Sequence, residues 1–260
     1  MELWHEVEGE GDPPVLLVHA GICDARMWDP QWESFPARHR TVRCDLRGFG
    51  RTPLPPEPFS HGADVVELLE RLDLGPVALV GASFGGLVCL DVTAARPDLV
   101  SRLVLIDSAM VGLDWSQPML DFFAEEEEML EADDIDGAVE LNLRTWVDGP
   151  ERSPGDVFPE LRRRVGEMQR RAFEHQQPVW EHADDELLVE DLGERIAAIE
   201  VPALVISGDR DVEDFRRIAE RLAATIPDAR AETIAGAAHL PSLERPDEFD
   251  RLVLEFLAAG

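Results

Sequence analysis

Ser83 sits at the centre of a G-x-S-x-G pattern, Gly81-Ala82-Ser83-Phe84-Gly85. An apolar strand pattern, Val77 to Val80, precedes it, and an apolar helix pattern, Leu87 to Ala95, follows. A turn this tight between strand and helix strains its central residue and lifts the side chain above the strand end. Small residues at 81 and 85 let the two elements approach, and the hydroxyl faces the positive helix N-terminus. A serine so placed is a nucleophile if a base stands within reach. Among seven histidines, His239 lies in a small-residue loop, Ala235-Gly236-Ala237-Ala238-His239-Leu240-Pro241, just after the last strand pattern. Loops at the carboxyl ends of sheet strands are where such sheets present reactive side chains. His19, at the end of the first clear strand, is the competitor. His5, His39, His61, His175 and His182 lie in polar or helical stretches and read as ordinary surface histidines. A carboxylate must orient the base. Asp209 and Asp211 follow one strand pattern and Asp107 another, and the order Ser83, Asp211, His239 is the one an open α/β sheet uses. Two backbone donors complete an oxyanion site: the N–H of Phe84 after the nucleophile, and that of Gly21 in the loop after the first strand. The chemistry these groups can carry out together is acyl transfer.

The elements that must position them alternate. Val15–Val18, Thr41–Cys44, Pro76–Val80 and Leu99–Ile106 read as buried strands, with a short opening strand near Leu3–Val7. Ser60 can cap a helix whose Val65, Leu68, Leu69 and Leu72 share a face. Such alternation predicts a mainly parallel sheet flanked by helices. From about 111 to 195 the strand pattern stops and helix follows helix. It resumes with strands at Pro202–Ser207 and Ala229–Ile234 and helices at Val212–Ala224 and Pro246–Leu257. The expected organisation is one α/β core, residues 1–110 and 196–260, carrying a helical cap at 111–195. Glu125–Glu128 point around a cap helix and read as its solvated face. Some of Trp115, Trp146 and Trp180 of the cap, and of Met119, Phe122, Phe123 and Met168 near them in sequence, are expected to wall an apolar substrate pocket with Ile22 and Leu240 beside the reacting loops.

Composition narrows the partners. With 24 basic and 54 acidic residues the net charge is −30, a poor match for nucleic acid or anionic membrane surfaces. Every basic residue other than histidine is Arg, and there is no Lys and no Tyr. This excludes a lysine Schiff base, a phosphate loop ending in Lys and a Tyr–Lys dehydrogenase site. Cys23, Cys44 and Cys89 are odd in number and without metal spacing, so they read as reduced thiols in a cytoplasmic protein. No run approaches the ~18 apolar residues of a membrane span, and no leader pattern opens the chain.

Taken together, these motifs resemble the α/β-hydrolase superfamily over nearly the whole chain. His19-Ala20-Gly21 is similar to its His-Gly-X oxyanion loop, with Ala in place of the first glycine. Trp28 falls where the family often opens its first helix. Asp45-Leu46-Arg47-Gly48-Phe49-Gly50-Arg51-Thr52 resembles the D-x-R-G-x-G-x-S segment, with Thr last. Gly208-Asp209-Arg210-Asp211 resembles the G-x-x-D acid motif, which favours Asp211, and Ala237 to Pro241 running on to Pro246 resembles the histidine loop and terminal helix. The resemblance implies a Ser83–His239–Asp211 triad, an oxyanion hole of Gly21 and Phe84, a small-molecule substrate, and no metal or organic cofactor. The leading activity it implies is hydrolysis of a carboxylic ester, lactone or thioester. Enol-lactone hydrolysis, C–C bond hydrolysis, cofactor-free perhydrolysis and a non-catalytic ligand-binding role are the alternatives. A serine at the elbow disfavours dehalogenation, which there uses Asp.

Overall fold

The apolar runs become strands buried on both faces, as parallel strands sandwiched by helices must be. The computed structural model describes residues 1–259. Its sheet contains β1 (His5–Glu8), β2 (Val15–Val18), β3 (Thr41–Cys44), β4 (Val77–Ala82), β5 (Val100–Ile106), β6 (Ala203–Gly208) and β7 (Ala229–Ile234). The seven strands lie in the order β1-β3-β2-β4-β5-β6-β7. β1 is antiparallel to β3 and every other pairing is parallel. All residues of β2 and β4 are buried. The opening strand starts two residues later than the sequence predicts.

Helices fill the connections: α1 (Asp29–Ser34), α2 (His61–Arg71) and α3 (Phe84–Ala95) precede or separate the central strands. α2 begins where the Ser60 side chain accepts the Ala63 N–H at 3.2 Å, and it buries Val65, Leu68 and Leu69. Between β5 and β6 come α4 (Gln117–Glu131), α5 (Ile135–Asn142) and α6 (Pro159–Gln176), then the short α7 (Leu192–Arg195). After α5 the chain continues as a π-helical stretch, Leu143–Asp148. α8 (Glu213–Thr225) follows β6, and α9 (Pro241–Glu244) and α10 (Pro246–Ala258) close the chain.

We propose residues 111–195 as a cap. Its last residues run along the core: Phe59 bridges Asp185, and the Asp91 carboxylate accepts the N–H groups of Leu188 and Val189 at 2.8 and 3.2 Å. Polar side chains pin the rest of the insertion. Asp214, at the start of α8, accepts from the N–H and hydroxyl of Ser116 at 2.9 and 2.6 Å. Arg152 donates to Glu244 at 2.7 Å and to the carbonyls of Val147 and Asp148, each at 2.7 Å.

Candidate active site

The turn between β4 and α3 puts Ser83 at φ 52°, ψ −117°, a region non-glycine residues rarely occupy. Strain of this kind persists only where the surroundings over-determine it. Here Ser83 N–H donates to the Ile106 carbonyl at 2.8 Å, and the Ser83 carbonyl accepts from Gly86 and Ala109 at 2.9 and 3.0 Å. Neither flanking glycine can carry a side chain. A Cβ on Gly81 would lie 2.4 Å from the Gly85 carbonyl oxygen, and one on Gly85 would lie 2.4 Å from that of His19.

His239 meets this serine from the loop between β7 and α9. Its Nε2 is 2.8 Å from Ser83 Oγ and its Nδ1 is 2.7 Å from Asp211 Oδ2. The other Asp211 oxygen accepts the Val212 N–H at 2.7 Å, which fixes the carboxylate. With the ring proton on Nδ1 toward Asp211, Nε2 offers its lone pair to the serine hydroxyl. The His239 loop is itself held: Glu244 accepts the Ala238 N–H at 2.8 Å, and Asp209 accepts the Gly236 N–H at 2.7 Å. Asp209 therefore stabilises the loop and Asp211 faces the ring.

Asp107, the third carboxyl considered, is fully buried at the end of β5 and accepts the Gly208 N–H at 3.2 Å. Burial first, and the adjoining Asp211 second, hold its carboxyl well above the usual range. His19, the competing base, is an internal brace. Its Nδ1–H donates to the Ala20 carbonyl at 2.9 Å while Nε2 accepts the Leu46 N–H at 3.0 Å. Both ring nitrogens are thus committed to the loops after β2 and β3.

Gly21 and Phe84 face each other beside the serine: a Cβ built on Gly21 would sit 3.4 Å from the Phe84 Cβ. The loop under Gly21 is built by the segment from Asp45 to Thr52. Asp45 accepts the N–H groups of Ala25 and Arg51 at 2.7 and 2.8 Å, and a Cβ on Gly50 (φ 51°) would collide with its carboxylate at 2.3 Å. Arg47 and Asp64 form a buried bidentate pair at 2.8 and 2.6 Å beside the same loop.

The profile of the alpha/beta hydrolase family matches residues 15–252. The chain belongs to the alpha/beta hydrolase family. It is an enzyme of that family, similar to carboxylesterase YbfK of Bacillus subtilis, with 25% identity over 95% of this chain and 81% of the relative. Among solved structures it resembles a hydrolase from Pseudomonas aeruginosa, at 28% identity and TM-score 0.79, covering 99% of this chain and 94% of that one. A thermophilic esterase from Thermogutta terrifontis gives 25% identity and the same TM-score, 0.79, covering 98% and 92%.

In this alpha/beta hydrolase three aromatics of the inserted segment that were expected to wall a pocket cluster at His239. The Trp146 ring lies 4.6 Å from that of His239, Phe122 meets Trp146 edge-on at 5.2 Å, and Trp115 reaches Phe215 at 5.8 Å. Phe215, which the sequence did not single out, stands edge-on to His239 at 4.5 Å. Its signal was its place on the first turn after Asp211. Ile22 and Leu240 are buried next to the reacting loops. Of the residues expected to wall a pocket, Trp180 lines the cavity of about 470 Å³ that opens at Gly21 and Phe84, and Trp115, Phe122, Trp146, Ile22 and Leu240 do not. That space is bounded by Phe49, Phe59, His61, Trp180 and Asp185 among others. The inserted rings pack against one another, Phe215 and the imidazole, Phe122 edge-on and Trp115 and Trp146 tilted, so their faces are already covered.

Two histidines read as surface residues are in fact buried. His39 Nδ1 bonds to the Pro13 carbonyl at 2.9 Å. His61 is enclosed by Phe59, Phe84 and Phe49. No helix is long and apolar enough to cross a membrane among the described residues.

Proposed function

We propose that this chain is a serine hydrolase that cleaves a carboxylic ester, lactone or thioester of a small, largely apolar substrate through an acyl-enzyme on Ser83. The observation that carries this reading is the unbroken line from Ser83 Oγ through the His239 ring to Asp211, with 2.8 and 2.7 Å links. Two of the proteins it resembles are a carboxylesterase and an esterase, which supports ester hydrolysis.

In the proposed reaction Ser83 Oγ bonds to the substrate carbonyl carbon as its proton passes to His239 Nε2. Asp211 stabilises the resulting imidazolium. The negative oxygen of the tetrahedral intermediate accepts from the N–H groups of Gly21 and Phe84, a type of contact that typically contributes about 3–4 kcal/mol per donor removed. The C–O or C–S bond to the leaving group breaks, and Nε2 delivers its proton to that group. Water then attacks the acyl-serine by the same route, returning free Ser83 and a carboxylic acid. A small substrate in solution suits a net charge of −30. The experiment is labelling with a fluorophosphonate. One probe per chain should attach at Ser83, and Ser83→Ala should lose both the label and at least ~10³-fold in hydrolysis of p-nitrophenyl acetate. Persistent labelling at another serine would sink the assignment.

A further inference from the structure

His239 must hand its proton to the leaving group, so that group has to stand on the imidazole side of Ser83. The acyl substituent of the same tetrahedral carbon then takes the remaining direction, away from His239 and past the two N–H groups that hold the oxyanion, and Gly21 and Phe84 also line open volume. The cavity of about 470 Å³ opens there. Phe49, Phe59, Phe84 and Trp180 give it aromatic walls.

One lining group is out of keeping with those walls. His61 is 5% exposed, with Phe59 and Phe84 edge-on to its ring at 4.8 and 5.1 Å and Phe49 at 6.3 Å. Its Nδ1 is buried and has no hydrogen-bond partner among the described residues. An unsatisfied buried nitrogen is costly, and such sites are commonly completed by water or ligand. Burial holds the ring neutral, lowering its pKa to about 3, so it keeps one N–H and one lone pair. It can therefore both donate to and accept from a neutral polar group.

The charges around it are matched against anions. Arg47 also lines the cavity, but its guanidinium is engaged in two hydrogen bonds to Asp64. Asp184 and Asp185 complete the lining, and Asp185 accepts the His61 backbone N–H at 3.2 Å. A carboxylate entering this space would meet two acids and a cation already paired.

We propose that this cavity is an acyl subsite for neutral acyl groups that carry a hydroxyl or carbonyl at the far end, and that His61 reads that group. The inference rests on the acyl-enzyme reading of Ser83.

The test uses p-nitrophenyl esters of one acyl length ending in methyl, hydroxyl or carboxylate. Wild type should prefer the hydroxyl-ended ester to the methyl-ended one by about tenfold in kcat/KM, and should disfavour the carboxylate-ended one by about as much. His61→Leu should cut the hydroxyl-to-methyl ratio about tenfold, and His61→Gln, with an amide donor and acceptor, should recover part of it. Asp185→Asn keeps an oxygen for the His61 N–H and should raise the carboxylate-to-methyl ratio several-fold. Each ratio is taken within one preparation, so partial loss of folded protein cancels. If His61→Leu fails to fold, His61→Gln and Asp185→Asn carry the test. Ratios unchanged in the variants would overturn the subsite and leave the Ser83 reading standing. Failure of wild type to cleave any of the three esters would instead overturn the Ser83 reading.

Discussion

Asp107 and Asp211 hold their carboxyls side by side behind His239, and it is Asp211 that meets the imidazole, at 2.7 Å. Two buried carboxylates cannot both ionise cheaply at this range. Asp107 is the one held protonated, chiefly by burial and then by the charge of its neighbour. An amide can replace a neutral carboxyl. Asp107→Asn is therefore expected to keep ester hydrolysis within about threefold of wild type, whereas Asp211→Asn should lose about 10⁴-fold. A folded pKa raised above the unfolded one favours the fold fully below the unfolded value, near ~3.9, and loses that advantage as pH rises through the folded value. Thermal melts should thus find Asp107→Asn more stable than wild type at pH 7–8, with the gap closing toward pH 4. A severe Asp107→Asn beside a mild Asp211→Asn would reverse the assignment of the acid.

Two glycines near the serine should answer alanine in opposite ways. At Gly85 the new methyl would stand 2.4 Å from the His19 carbonyl oxygen, a backbone atom that cannot swing aside. At Gly21 it would meet the Phe84 Cβ at 3.4 Å, an ordinary contact. Gly21→Ala is expected to melt within about 3 °C of wild type, a change of roughly 1 kcal/mol or less. Gly85→Ala should give little folded protein, read by circular dichroism and soluble yield.

His61 should leave a mark on acid stability. It stays neutral in the folded chain down to about pH 3, while an unfolded histidine takes up a proton near ~6.5. The folded state therefore loses stability as pH falls from 6.5 toward 3, by up to about 1.4 kcal/mol per pH unit. Against wild type, His61→Gln should gain relative melting temperature steadily across that window. A difference independent of pH between 7 and 4 would show that His61 takes up its proton in the folded protein as readily as in the unfolded chain.

Salt should stabilise the chain. At a net charge of −30, self-repulsion opposes folding, and the screening length shrinks from about 10 Å at 0.1 M to about 3 Å at 1 M. The melting temperature should climb with NaCl, most steeply at low concentration, and level off near 1 M. A flat or falling profile between low and moderate NaCl would mean that the acids are already spread or paired well enough.

What could be read from the sequence follows how local the physics is. Val15–Val18 and Thr41–Cys44 occur as strands over the residues expected, because short apolar or β-branched runs between turn signals have few other uses, and so does Ala229–Ile234, whose polar and apolar residues largely alternate. The elbow is equally legible, since the need for glycine at 81 and 85 is set within nine residues, from Gly81 to Cys89, and by one neighbouring strand. His61 was illegible. Its polar neighbour Ser60 caps a helix that looks like a surface element, and its burial comes from Phe49, Phe59 and Phe84 on separate stretches of chain. The same holds for Trp146, whose helical spacing was visible but whose partner His239 lies 93 residues away in sequence.

The grip of Arg152 on Glu244 ties the inserted helices to the residue that also anchors the Ala238 N–H, one position from His239. A foreign insert spliced between β5 and β6 would have to bring its own cation to that spot and its own ring to lie over the imidazole. Exchange of insertions among such scaffolds is thereby constrained, because the roof and the loop that carries the base share one anchor.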